Sequence, residues 1–318
     1  MKRVMVAAVA AVAMAMTGCG MDKGEPFRQG FPHSDTVKLN LPGNKAALTG
    51  EGQRRDGLEG QTSDFYKLTR GVTATVNGAG GAVLLLVEKI TDYPPTSVNQ
   101  NVAVWGPHTD ALSPNTYKFT VTKVAENQFD YLLEAKGKTE ADSAFRVILS
   151  GSHVSTGRNL GSGTFLVDWD RAQTLPEHDK NVGTASYTYS RQTAGADVSV
   201  DALFQKVRDE ETNQLVDVNY KYREQPGNGG AFEFRMNKNW IPGPGVEVLT
   251  VKSRWQQAGA GRSDARATGG DLPGPATASE CWDSGFASRF LNASWLTPQT
   301  GNYGAESVCA FPTAEYAP

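Results

Sequence analysis

The sequence predicts a mainly β protein with one long helix: a curved antiparallel meander of about ten strands, a half-barrel or open barrel, packed on that helix. Three observations carry this. From about residue 102 the apolar residues recur at every second position through nine or ten consecutive segments. Turn residues separate those segments, among them Glu126-Asn127, Asp209 to Asn213 and Gly227 to Gly230. Ahead of them, residues 63–92 carry an apolar stripe of helical period.

The helical stripe is Phe65, Leu68, Val72, Val76, Ala79, Val83, Leu86 and Ile90, spaced 3, 4, 4, 3, 4, 3 and 4. Thr62 or Ser63 is placed to cap its start, and Pro94-Pro95 ends it. Gly71, Gly78, Gly80 and Gly81 oppose the assignment, each costing about 1 kcal/mol in a helix interior. They also mark places where such a helix can approach a sheet closely. "GAGGAV" has neither dinucleotide spacing nor the Lys-Ser/Thr of a phosphate loop.

The strands follow. "TYKFTVTKV" sets Tyr117, Phe119 and Val121 on one side and Lys118, Thr120 and Thr122 on the other. Phe129, Tyr131 and Leu133 alternate next, then Phe145, Val147 and Leu149, then Phe165, Val167 and Trp169. Tyr187 and Tyr189 share a face, as do Val198, Val200, Ala202 and Phe204, then Val216, Val218, Tyr220 and Tyr222, then Phe232, Phe234 and Met236. "GVEVLTVKSRWQQ" adds a strand and "GRSDARATGG" a last, weak edge. One apolar face and one charged or hydroxylated face suit an antiparallel sheet wet on one side. So long a meander must curl or close, and the helix has the length and stripe to cover its apolar face.

The chain of 318 residues opens with Lys2 and Arg3, followed by an uncharged apolar run over residues 4–16. That is the layout of a secretory signal, too short for a bilayer span of about 20 residues. Met16-Thr17-Gly18-Cys19 closes it. This resembles the lipobox of bacterial lipoproteins, with Met16 where Leu is more usual. The resemblance implies cleavage after residue 18, a diacylglycerol on the Cys19 thiol and an acylated new amino terminus. One acyl chain holds only marginally, at about 0.8 kcal/mol per buried CH₂; three make release negligible. Gly20 in place of Asp implies, by the enterobacterial sorting rule, the outer membrane.

Removing residues 1–18 takes the formal charge from −3 to −5, a balance that argues against nucleic acid, which requires a basic face. Residues 19–62 read as the lipidated N-terminus and a flexible tether rich in Gly, Pro and polar residues. Residues 63–270 form the helix-and-meander domain. Residues 271–318 form a Gly/Pro linker and an aromatic C-terminal cap with Trp282, Phe286, Phe290, Trp295, Tyr303 and Phe311. With Cys19 lipidated, Cys281 and Cys309 remain as a pair, which in an oxidising compartment reads as a disulfide closing a loop of about 29 residues. None of the four histidines, His33, His108, His153 and His178, lies in that segment to make a metal site with them.

Catalytic signatures are not found. Ser152 and Ser162 do not fit the G-x-S-x-G elbow, and there is no H-E-x-x-H. Asp168, Asp170 and Asp179, with Glu177 and His178, offer oxygen ligands of the kind Ca²⁺ takes. Their spacing matches no calcium loop, and a solvated hairpin loop is the reading. No cofactor is expected.

Over residues 63–256 the order of parts has an architectural resemblance to the half-barrel of periplasmic lipoprotein and lipid carriers. The chain also looks like uncharacterised lipoproteins of Gram-negative envelopes. The expectation is a non-enzymatic, membrane-anchored envelope protein binding a lipid or other hydrophobic ligand in the sheet's concavity. Phe119, Tyr131, Phe145, Phe165, Tyr187, Phe204, Tyr220 and Phe234 are the candidate lining. The alternative is a structural lipoprotein whose core is filled by its own side chains and which contacts envelope proteins or peptidoglycan.

Overall fold

A computed structural model describes residues 24–41, 59–209, 212–296 and 301–316. Its centre is one open antiparallel sheet of fourteen strands, each hydrogen-bonded only to its neighbours in sequence. They are β1 (Ser97–Val98), β2 (Val102–His108), β3 (Asn115–Ala125), β4 (Gln128–Gly137), β5 (Arg146–Gly157), β6 (Leu160–Asp168) and β7 (Thr184–Arg191). Then come β8 (Val198–Arg208), β9 (Leu215–Gln225), β10 (Gly229–Lys238), β11 (Glu247–Gln256), β12 (Gly261–Gly269), β13 (Ala276–Trp282) and β14 (Ser288–Ala293). The helices are α1 (Glu25–Arg28), α2 (Ser34–Val37), α3 (Asp64–Thr91) and α4 (Trp169–Ala172).

The count of about ten strands is corrected to fourteen. β3 to β11 are the strands that alternation finds, and β12 is the weak edge expected after them. β1 and β2 precede them, and β13 and β14 lie in the segment assigned to a linker and cap. Residues 271–318 are thus not a separate cap, because β13 continues the ladder from β12 at Ala265↔Ala278 and its neighbours. The "weak edge" β12 is an interior strand. Its alternation fails because both faces are covered. Outward, Arg262 and Asp264 are fully buried, Nε donating to Oδ1 at 3.0 Å. The C-terminal segment crosses them: Arg262 Nη1 donates to the Phe311 carbonyl at 3.0 Å, Nη2 to Glu306 at 2.6 Å, and Glu315 N–H to Asp264 at 3.2 Å. The Cys281–Cys309 disulfide fixes this crossing. Inward, Ser263 and Ser253 bond each other beneath Thr69 of α3.

α3 starts where Ser63 Oγ accepts the Tyr66 N–H at 3.1 Å. The chain from Arg70 to Glu88 holds no charged residue between them, and α3 is the one described helix long and apolar enough to cross a membrane. Here it lies against the inner face of the sheet. Beneath it runs a cross-strand row that is aromatic at one end and tapers to alanine at the other: Tyr187, Ala202, Tyr220, Phe234, Val251, Ala265, Ala278. The residues α3 buries are Tyr66, Thr69, Thr73, Val76, Gly80, Leu84, Val87 and Thr91. Only Val76 belongs to the stripe that hydropathy selects; the other seven stripe residues are half-buried along one flank. The physical reason is close approach. Thr73 Oγ1 bonds the Tyr220 hydroxyl at 3.0 Å and the Tyr187 hydroxyl donates to the Val76 carbonyl at 3.2 Å, so small and hydroxylated residues must face the aromatic sheet.

The tether reading of residues 19–62 is also corrected where it falls on described residues. Residues 24–41 pack on the inner face, with Phe27, Phe31, Val37 and Leu39 buried. Phe31 meets Phe119 edge-on at 5.1 Å. Arg28 Nε donates to the Thr91 carbonyl at 2.8 Å, at the end of α3. Leu39 exchanges two bonds with the Asn77 side chain, at 2.9 and 3.0 Å. Phe27, Phe31, Val37 and Leu39 are apolar positions in a polar stretch, and their burial explains why they are there.

Candidate ligand groove

α3 has two flanks on the sheet, and they differ. One is filled by the chain itself: Val37 and Leu39 are buried there, and Asn40 N–H donates to the Tyr222 hydroxyl at 3.0 Å. A crevice of about 230 Å³ remains beside Lys38, Asn77 and Gly81. The other flank holds an open groove of about 630 Å³, within the range of small-molecule and cofactor sites. Its roof is Val72, Val76 and Ala79 of α3. Its floor is Phe204, Val218 and Phe234, and its far wall is Trp169, Val216 and Met236.

Local sequence explains each wall. Val72 and Ala79 belong to the half-buried stripe of α3, which therefore faces this space rather than the sheet. Val216 and Val218 alternate inward on β9, Phe234 and Met236 on β10. Trp169 is turned in by α4, a single turn capped by Asp168 Oδ1 accepting the Arg171 N–H at 2.9 Å. Its ring lies parallel to that of Phe204 at 6.4 Å.

The rim is polar. Asp209 follows β8 directly and meets Lys238 Nζ at 3.0 Å and the Thr212 N–H at 2.8 Å. Burial raises its carboxyl, the bonds from Thr212 and Lys238 outweigh that, and the net displacement is downward. Asp209 is thus a paired carboxylate, not a poised acid. Arg208 is exposed and donates to Asn213 Oδ1 at 3.0 Å.

Of the eight lining candidates, Phe204 and Phe234 line the groove. Tyr187 and Tyr220 lie under α3, where burial pushes both hydroxyls up. Phe165 stacks on Tyr187 at 4.4 Å. Phe119 and Tyr131 are fully buried, Phe119 beneath Phe31 and Tyr131 with its hydroxyl on the Thr164 carbonyl at 3.2 Å. Phe145 is turned to the outer face, under Lys118 Nζ at 4.5 Å and Lys136 Nζ at 5.4 Å. The cause is a bulge: Leu133 pairs Leu149 but Glu134 pairs Val147, so Ile148 is extra and parity flips before it. Trp169, Val216, Val218 and Met236 are legible as inward positions, but alternation alone does not say which inward residues remain uncovered.

Cys281 and Cys309 are bonded, with Cα atoms 5.6 Å apart. Cys19 lies outside the described residues. Asp168, Asp170 and Asp179 are spent on local structure: Asp168 caps α4, Asp170 accepts the Gly183 N–H at 2.7 Å, and Asp179 accepts the Asn181 N–H at 3.0 Å. Among the described residues, no three His, Cys, Asp or Glu side chains gather to hold a metal ion. Compared with protein-family models, with curated proteins and with solved structures, the chain matches none.

Proposed function

We propose that this chain is a membrane-anchored envelope lipoprotein, non-enzymatic, that holds a lipid or other hydrophobic ligand in the groove beside α3. The observation that carries the reading is the asymmetry of the two flanks. One is closed by Val37 and Leu39, while its counterpart keeps about 630 Å³ walled by aliphatic and aromatic side chains. An acyl chain gains there what Leu39 gains on the other side, removal of apolar surface from water at about 25 cal/mol per Å².

Curvature supports it. Phe65, at the start of α3, donates its N–H to Glu280 of β13, and Tyr93, just past its end, accepts from Trp105 of β2. The helix between them is about 42 Å long at 1.5 Å per residue. Eleven strand spacings of about 4.8 Å make roughly 53 Å along the sheet. A sheet longer than the rod that joins its ends bows around that rod, which supports a concavity on the α3 side of the open sheet. Anchoring rests on the lipobox-like Met16-Thr17-Gly18-Cys19. We read a binding protein rather than an enzyme because the groove is aliphatic and aromatic and the carboxylate at its rim is already paired with Lys238.

The test is titration with a fluorescent fatty acid, cis-parinaric acid, of the wild type and of two groove-filling variants, Ala79→Trp and Met236→Trp. Saturable binding that both variants lose, at unchanged unfolding midpoints, supports the reading. Equal binding by all three proteins, or none by the wild type, sinks it.

A further inference from the structure

Next to the groove, the turn between β10 and β11 reads Asn-Trp-Ile-Pro-Gly-Pro-Gly-Val over residues 239–246, with no charge. Its apolar side chains are not tucked in. Trp240 is 40% exposed and Val246 53%, and Leu215, at the same end of the sheet, is 57% exposed. Burying such side chains is the default of a folded chain, and several at one edge form a patch rather than a scatter.

The backbone of this turn is nevertheless fixed. Glu247 is buried, and its two carboxylate oxygens accept the Trp240 N–H at 2.8 Å and the Asp271 N–H at 2.9 Å. These bonds hold its carboxyl below the usual carboxylate range. Asp271 in turn accepts the Gly245 N–H at 2.8 Å, and Asn239 Nδ2 donates to the Gly243 carbonyl at 2.7 Å. The turn presents its side chains to solvent with little conformational freedom left to lose on docking. Its base joins the groove: Lys238, the last residue of β10, pairs with Asp209 on the rim, and Met236, two residues earlier, is part of the wall.

We infer that the 239–246 turn, with Leu215 beside it, docks on the surface of a lipid bilayer and sets the groove's mouth against it. The chemistry selects this partner. An indole with an apolar body and one N–H suits the headgroup boundary, and Pro and Val add apolar area without a charge to desolvate. The surface is a zwitterionic one. Residues 239–246 carry no charge and Lys238 at their base is paired with Asp209, so the attraction is apolar and changes little with salt. The inference extends the ligand reading by supplying the route of loading, and it stands on separate residues.

The experiment uses the full chain in phosphatidylcholine vesicles, with and without brominated acyl chains, which quench only nearby indoles. The wild type, Trp240→Phe and Trp169→Phe are compared. Each difference spectrum isolates one tryptophan: Trp240 reports the turn and Trp169 the groove. The Trp240 component is expected to lose most of its emission in brominated vesicles, equally at low and high salt. A Trp240 component that is the same in both kinds of vesicle overturns the inference, whether the turn is then free or meets a protein. Quenching of Trp169 alone leaves the ligand reading standing without the docking, and quenching of Trp240 alone does the reverse.

Discussion

The ring of Tyr187 occupies the space a β-carbon on Gly80 needs. A Cβ placed there lies 3.0 Å from Tyr187 Cζ and 3.1 Å from its hydroxyl oxygen, and that hydroxyl donates to the carbonyl of Val76, one turn earlier on α3. The depth at which the helix sits on the sheet, and so the height of the groove beside it, is set by this contact.

Gly80→Val is therefore expected to destabilise the protein by about 1–3 kcal/mol, as overpacking does. Tyr187 cannot yield, being buried and stacked on Phe165. Gly71, on the solvent side of the same helix, has open space around it, and Gly71→Ala is expected to stabilise by roughly 0.5–1 kcal/mol. Urea midpoints of the two variants check the pair; equal midpoints would contradict the close contact.

What the sequence made legible here is instructive. The helix, its Ser63 start and most of the strands follow from periodicity. The side of α3 that meets the sheet does not, because hydropathy selects Val72, Ala79 and Val83 while the buried face carries Thr69, Thr73 and Gly80 alongside Val76, Leu84 and Val87. Glycine as a mark of close approach holds at Gly80 and fails at Gly71, Gly78 and Gly81, where an added Cβ meets nothing within 4 Å. β12 and β13 escape the pattern because a hydrogen-bonded tail covers their outer face, so polar residues occur on both sides. The groove itself is the difference between covered and uncovered apolar surface, a tertiary property that no single segment carries.

His153 gives the protein a pH dependence. It is buried, bonds the Tyr189 hydroxyl through Nδ1 at 2.7 Å, and its pKa is lowered to about 4, chiefly by burial and then by repulsion from His33. The unfolded chain, titrating near the ordinary 6.5, binds the proton first. Its contribution is thus complete above about pH 6.5, falls as the pH drops toward 4, and reaches about 3 kcal/mol in total. Unfolding free energies of the wild type minus those of His153→Gln, measured from pH 7.5 to 4, should show this slope. A pH-independent difference would contradict the buried neutral imidazole.

The bridge between Cys281 and Cys309, 28 residues apart, is expected to contribute about 3.5 kcal/mol by loop closure. The Cys281→Ala/Cys309→Ala variant should lose that amount. It should also release the segment that carries the Phe311 carbonyl and Glu306 onto Arg262, so that proteolysis near Phe311 quickens at a denaturant concentration where the sheet remains folded. Unchanged cleavage would show that the Arg262 bonds alone hold the tail.

The flank of α3 left open by residues 24–41 is the proposed ligand site. Native mass spectrometry of the full-length protein in a mild detergent is the decisive measurement. The expected spectrum shows a stoichiometric noncovalent lipid-sized adduct that Met236→Trp, occupying the groove wall, removes. A wild-type protein free of noncovalent adduct after incubation with envelope lipid extract would contradict the claim.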